Sequence, residues 1–206
     1  VDDSAAENIN QYVKNGGTLL MSFFSGIVDE HEHIRLGGYP APFREMLGLT
    51  VEEYVPYPVA QINSLRTTDG KPFTCSLWSD VIRLQTAQVL ALYESDYFAG
   101  SPAVTRHQFD KGLGFYLGTE LEPAGLDWLL GLVCAEAGIL PAARNFPAGV
   151  EVLLRSNGEK NWLFLLNYAS EKQEVSLENS GRDLLSGELV TDRIVLEPNG
   201  AAVIEF

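Results

Sequence analysis

The sequence predicts an α/β domain with a mostly parallel sheet over residues 1–145, followed by a small antiparallel β-sandwich over 146–206. Three observations carry that prediction. The chain opens on a helical pattern that runs through a Gly-Gly stop into an apolar run of strand length, an order found in βαβ units. A second helical pattern lies between Pro123 and Gly138. Beyond it, short β-like segments are punctuated by Asn157-Gly158, Ser180-Gly181 and Asn199-Gly200.

In the first helix, Asp2, Asp3 and Ser4 are N-cap types, and Ala5, Ile9, Tyr12 and Val13 form an apolar stripe. Gly16-Gly17 supplies the stop. The run 18–24, TLLMSFF, is apolar on both faces and suits a central parallel strand covered by helices, with its partner strand upstream. The chain starts at Val1, with no initiator Met, and enters the helix almost at once, so it reads as a piece of a longer polypeptide. A long loop follows over 25–42, then a short helix that begins at Pro42 and stops at Gly48. Residues 51–54 read as a strand, 56–80 as short irregular β structure, and 81–84 and 87–93 as strands. Segments 103–109 and 112–117 read as a hairpin around Asp110-Lys111-Gly112. Pro123 opens a helix that extends to Ala137.

Residues 144–149 contain Asn, Pro and Gly and read as a domain junction. After it come β segments at 150–155, 161–167, 173–177, 187–190, 194–196 and 201–206, a spacing that indicates a small sandwich or barrel.

A hydrophobic content of 46% with 20% charged residues is a globular profile and excludes disorder or a collagen-like polymer. The net charge of −14 repels phosphate backbones and anionic lipid, so neither nucleic acid nor membrane is an expected partner. No apolar run reaches the roughly 18–20 residues of a membrane span, and no signal-peptide pattern opens the chain. Cys75 and Cys134 are far apart and are expected to be buried free thiols, which suits a cytoplasmic location.

The densest polar cluster is Asp29-Glu30-His31-Glu32-His33-Ile34-Arg35. If extended, it points Asp29, His31, His33 and Arg35 one way and Glu30 and Glu32 the other. His31-x-His33 with Asp29 has the makings of a zinc site, but no third His or Cys lies nearby. A solvated or interface loop, or a lid over a polar site, is the better reading, and neither metal nor cofactor is expected. The pairs Glu52-Glu53 and Glu120/Glu122 read as surface carboxylates rather than a glycosidase pair. His107 reads as a structural histidine, and Gly37-Gly38 and Gly112-x-Gly114 as turn glycines with positive φ. Trp162, in NWLFLLNY, sits in an alternating apolar strand and reads as core.

The stretch SFFSGIVDEHEHIRLGGYPAPFREMLGLTVEEY resembles the middle domain of glycoside hydrolase family 42 β-galactosidases. The matching positions are Phe23, Ser25, Gly26, Ile27, Asp29, Glu30, Gly37, Gly38, Tyr39, Pro40, Pro42, Leu47 and Gly48, supported by Gly16 to Leu19 and by Gly112, Gly114, Gly118 and Thr119. The resemblance implies a trimerisation domain with a class I glutamine amidotransferase-like, flavodoxin-like fold, truncated at its start, and then a small β-sandwich. It implies a retaining glycosidase of terminal β-D-galactosides whose two catalytic glutamates lie in a barrel. No residue here matches the barrel motifs, so this chain is expected to be inactive alone, with no catalytic residue, and to meet galactoside only together with that barrel. It implies a homotrimer. It also makes Asp29, Glu30, His31, His33, Arg35 and Tyr39 candidates for subunit packing or for the wall of a neighbouring sugar pocket. The alternatives are a free-standing amidotransferase-like protein or a carbohydrate-binding module using the 150–206 sandwich.

Overall fold

A computed structural model describes residues 1–140 and 146–206. Of the expected junction, Arg144 and Asn145 lie outside the described residues. The chain divides into two compact units, Val1–Ile139 and Leu140–Phe206.

The first unit opens with α1 (Asp3–Lys14), capped by the Asp2 carboxylate, which accepts the Ala5 amide at 2.6 Å. Its buried face is Ala6 and Val13 with Ile9 beside them, whereas Tyr12 of the expected stripe is exposed. There follow β1 (Thr18–Ser22), α2 (Arg44–Leu47) and the strands β2 (Leu49–Pro56), β3 (Ile62–Thr67) and β4 (Pro72–Leu84). Then come β5 (Gln88–Tyr93), β6 (Pro102–Phe109), β7 (Gly112–Leu117), β8 (Thr119–Leu121) and α3 (Pro123–Glu136). Gly48, at φ 65°, ends α2 in the left-handed conformation a glycine C-cap provides.

The strands form one sheet in the order β1-β7-β6-β5-β3-β4-β2, with β8 on β4. Among the described residues β1 with β7 is the one parallel pair, in register from Thr18↔Leu113 to Ser22↔Leu117; the other pairs are antiparallel. The expected mostly parallel sheet is therefore corrected to a mixed sheet, and β1 stands at the end of the strand order. The continuous apolar run has another cause: β1 and β7 are covered on both faces. Leu20, Leu113, Phe115 and Leu117 pack with Leu129 of α3. Met21 and Tyr116 pack on the other side with Ala6, Val13 and Met46. Each fully buried Leu or Phe contributes roughly 1.5–3 kcal/mol.

The region read as irregular, 56–80, holds β3 and most of β4, which has 13 residues. The alternation is broken because β4 serves three partners, β2, β3 and β8, and shifts register against β8 between Ser76 and Ser79. Leu77 sits there at φ 64°, and the bulge re-aims Trp78. Gly37 and Gly38 have positive φ as expected, but Gly112 and Gly114 are not turn glycines. A Cβ on Gly112 would overlap the Val13 and Gly17 carbonyl oxygens, and one on Gly114 would lie 2.9 Å from the Met46 carbonyl. Both are needed for close approach of α1 and α2 to the strand. Cys75 is buried, whereas Cys134 on α3 is half-exposed, so the expectation of two buried thiols holds for the first alone.

In the second unit, β9 (Val150–Ser156), β10 (Asn161–Asn167), β12 (Gly181–Asp183), β13 (Leu189–Val190) and β15 (Ala201–Glu205) make an antiparallel sheet ordered β13-β12-β15-β10-β9. A two-stranded sheet of β11 (Gln173–Ser176) and β14 (Arg193–Leu196) accompanies it. Leu163, Leu165, Val175, Leu196 and Ile204 form the core. Trp162 points to the opposite face of β10, half-buried, with its indole N–H on Glu205 at 3.1 Å. It is not part of that core, contrary to expectation, because strand alternation separates it from Leu163 and Leu165.

Candidate functional site

The 23–40 segment is a folded loop with its own hydrogen bonds. Val28 and Ile34 form a bridge, and the Arg35 amide donates to the Ile27 carbonyl at 2.8 Å. At the tip, Asp29 accepts the amides of His31 (2.8 Å) and His33 (2.9 Å), closing a turn with Glu32 at φ 64°. The cluster is thus a turn, not an extended segment with two faces. The His33 amide, with that of His31, holds the Asp29 carboxyl below its usual range. His33 Nδ1 lies 3.4 Å from Asp29, and His31 Nε2 lies 3.7 Å from Glu30; both imidazoles are largely exposed. Arg35 points elsewhere: it donates to the Asp3 carboxylate at 2.6 Å and to the Val1 carbonyl at 2.8 Å, tying the loop to the start of α1.

Tyr39 anchors the end of the loop. Its carbonyl accepts the Val51 amide at 2.7 Å, and its hydroxyl accepts the Phe24 amide. The same hydroxyl lies 3.1 Å from that of Tyr116 and 3.4 Å from Asp80 Oδ2. Tyr116 donates to Asp80 Oδ2 at 2.6 Å, and the Trp78 indole donates to Oδ1 at 2.8 Å. Asp80 has no exposed surface, and none of the ion pairs among the described residues reaches it. Burial pushes its carboxyl up to about 6, with the three donors opposing. Burial, with Asp80 next, raises both tyrosines above their usual value.

Above this network lies a pile of aromatic rings. Trp78 stacks on Tyr54 (5.1 Å, 15°) and on Phe23 (6.0 Å, 19°), and meets Phe24 edge-on (5.2 Å). Phe24 is at φ 62° and 63% exposed, a conformation costly for a bulky side chain that turns its ring to solvent. Beside the pile, a cavity of about 320 Å³ is lined by the apolar Ile27, Ile34, Leu36 and Val51, with Arg35, Tyr39, Glu52, Glu53 and Tyr54 also on its wall.

Of the six sequence candidates, Arg35 and Tyr39 line this cavity; Asp29, Glu30, His31 and His33 do not. Glu52 pairs with Arg83 at 2.9 Å and is half-exposed. Glu120 accepts the Ser76 hydroxyl and Glu122 the Thr74 amide, so these acids satisfy strand groups. His107 bonds the Met46 carbonyl and the Thr86 hydroxyl, a structural role. No group of three His, Cys, Asp or Glu among the described residues is arranged to hold a metal ion. The arrangement can present an aromatic and polar wall to a hydroxylated ligand or to a protein surface. Sequence reasoning missed Asp80, Tyr116 and Trp78 as a unit. The available signal was an acid at Trp78-Ser79-Asp80-Val81, inside a strand rather than at its end.

Residues 1–140 match the family model described as the β-galactosidase trimerisation domain, and residues 149–206 match that of the β-galactosidase C-terminal domain. The chain belongs to this glycoside hydrolase family 42 β-galactosidase family. Among curated proteins it is 44% identical over 177 residues to β-galactosidase BgaB of Geobacillus sp. (strain Y412MC61), covering 86% of this chain and 26% of that one. It is 37% identical over 205 residues to β-galactosidase LacZ of Heyndrickxia coagulans, covering 100% of this chain and 30% of that one. The crystal structure of β-galactosidase from Bacillus circulans sp. alkalophilus superposes with a TM-score of 0.94 at 32% identity, covering 100% of this chain and 31% of that one. The chain thus spans less than a third of the length of these relatives. No helix among the described residues is long and apolar enough to cross a membrane.

Proposed function

We propose that this chain is the assembly region of a retaining β-galactosidase acting on terminal β-D-galactosides, that it forms a homotrimer, and that it carries no hydrolytic machinery of its own. The match of 1–140 to a trimerisation domain carries this reading. Among the described residues the buried carboxylates, Asp80 and Asp183, are each held by donors of their own unit.

In this reading the 23–40 loop and its aromatic pile face another subunit or wall its sugar pocket. Tyr39, Arg35 and Tyr54 form the cavity side, and Asp29, Glu30, His31 and His33 form the tip. An amidotransferase-like ancestry of the first unit belongs to the same reading and rests on α1, β1 and the parallel β1–β7 pair. A cytoplasmic location belongs to it as well, since free cysteines suit a reducing compartment.

Purified chain incubated with a nitrophenyl β-galactoside should give no turnover, and light scattering should give three times the 22.6 kDa of one chain. Turnover that co-purifies with the chain, or a mass that stays at one chain, overturns the respective half of the reading.

A further inference from the structure

We propose that Asp80 is the positioning residue of the 23–40 loop, holding it on the sheet through the Tyr116 and Tyr39 hydroxyls, more tightly at mildly acidic than at alkaline pH. The path is continuous. Asp80 on β4 takes the Tyr116 proton from β7 at 2.6 Å, Tyr116 lies 3.1 Å from the Tyr39 hydroxyl, and Tyr39 accepts the Phe24 amide. One buried carboxyl therefore fastens both the beginning of the loop, at Phe24, and its end, at Tyr39. Tyr116 has a single hydroxyl proton, and the shorter contact assigns it to Asp80. Tyr39 must then direct its own proton to Asp80 or to the Tyr116 oxygen.

Among the described residues the titratable groups that face Asp80 are Tyr39 from the loop, Tyr116 from β7 and Tyr93 from β5; all three are weak acids, and none of the described cations offsets the carboxylate. An unpaired charge in such a place is costly, and release of the loop would let water reach it. A hydrated carboxyl titrates near 4, whereas the docked one titrates at about 6. The docked state thus binds the proton more tightly. Its advantage is complete below about pH 4 and is lost as pH rises through about 6, a change of at most about 100-fold in the docked-to-released ratio. His31 and His33 ride on the same loop, but they lie beside Glu30 and Asp29 at its exposed tip, away from Asp80.

The anchor is a property of this chain. Its effect on a neighbouring sugar pocket rests on the proposed function. The test is amide hydrogen exchange of the 206-residue chain at about pH 5 and about pH 8, corrected for intrinsic rates. Phe115 in the core serves as the reference for global opening. Protection of the Phe24 amide relative to Phe115 should fall about 10-fold from the lower to the higher pH. The fall should vanish in Asp80→Asn. It should persist, with its midpoint moved to higher pH, in Tyr116→Phe, which takes away one of the donors that hold the carboxyl down, and should persist unchanged in the double variant His31→Ala/His33→Ala. Equal protection at both pH values in the unaltered chain overturns the proposal. So does a fall that survives in Asp80→Asn, or one that disappears with the histidines. If Asp80→Asn does not fold, the direction in which the midpoint moves in Tyr116→Phe decides. A monomeric mass in light scattering would defeat the assembly reading and leave this result untouched.

Discussion

The cost of a single atom is clearest at Gly112. A Cβ there has nowhere to go, because the overlapping atoms are backbone carbonyls of the α1 end and of Gly17, not flexible side-chain tips. Gly112→Ala should lower stability by about 3 kcal/mol or more, read as a fall in the urea midpoint. Gly70→Ala has open space around its Cβ and pays for φ 92° alone, so it should cost far less. Tyr116→Phe removes a buried donor to Asp80. Above pH 6, where Asp80 is charged, the loss should be about 1.5–3 kcal/mol, and at pH 4 nearer 1 kcal/mol, measured by urea unfolding at both values. At this scale the sequence was partly legible. Tyr39 and Arg35 stood out because they lie in a dense motif. Asp80 did not, because in a chain with 28 acids a carboxylate inside an irregular-looking segment is a weak mark of burial.

Elements explain which residues tolerate change. On α3, Leu129 is fully buried in the core beneath the sheet, while its neighbour Leu130 is 42% exposed. Leu129→Ala should cost about 2–5 kcal/mol and Leu130→Ala under about 1 kcal/mol, compared by thermal unfolding. The turn at 29–33 has its own pH dependence, opposite in sign to that of Asp80. The amides of His33 and His31 hold the Asp29 carboxyl low, so the turn is complete above the usual carboxylate range and loosens as pH falls through it. Exchange protection of the His31 and His33 amides should drop on acidification and be absent in Asp29→Ala. Helices and hairpins were readable from sequence because their signals are local: Asp2 caps, Gly48 stops, and Asp110-Lys111 turns the chain. Strand β4 was not, since its pattern records a bulge and three partners, of which β8 lies far off in sequence and β3 alone is joined to it by a tight turn.

For the whole molecule, a net charge of −14 sets a general repulsion between like subunits. If the chain self-associates, the fraction of trimer seen by light scattering should rise as salt goes from about 0.01 M to about 1 M, where the screening length drops from about 30 to about 3 Å. A fraction that falls with salt would place charge pairs, rather than the aromatic pile, at the centre of the contact. The family motif over 23–48 was legible because loop geometry and helix stop demand particular residues there. The direction of the sheet was not, because an apolar run is compatible with burial in either sense.

The pairing of β1 with β7 joins positions that are 95 residues apart, Thr18 with Leu113. During synthesis, at about 5–20 residues per second, the apolar TLLMS segment would wait roughly 5–20 s for its partner to emerge. In that interval the apolar faces of α1 and β1 stay uncovered, so this part of the chain is where a ribosome-bound chaperone would find its substrate.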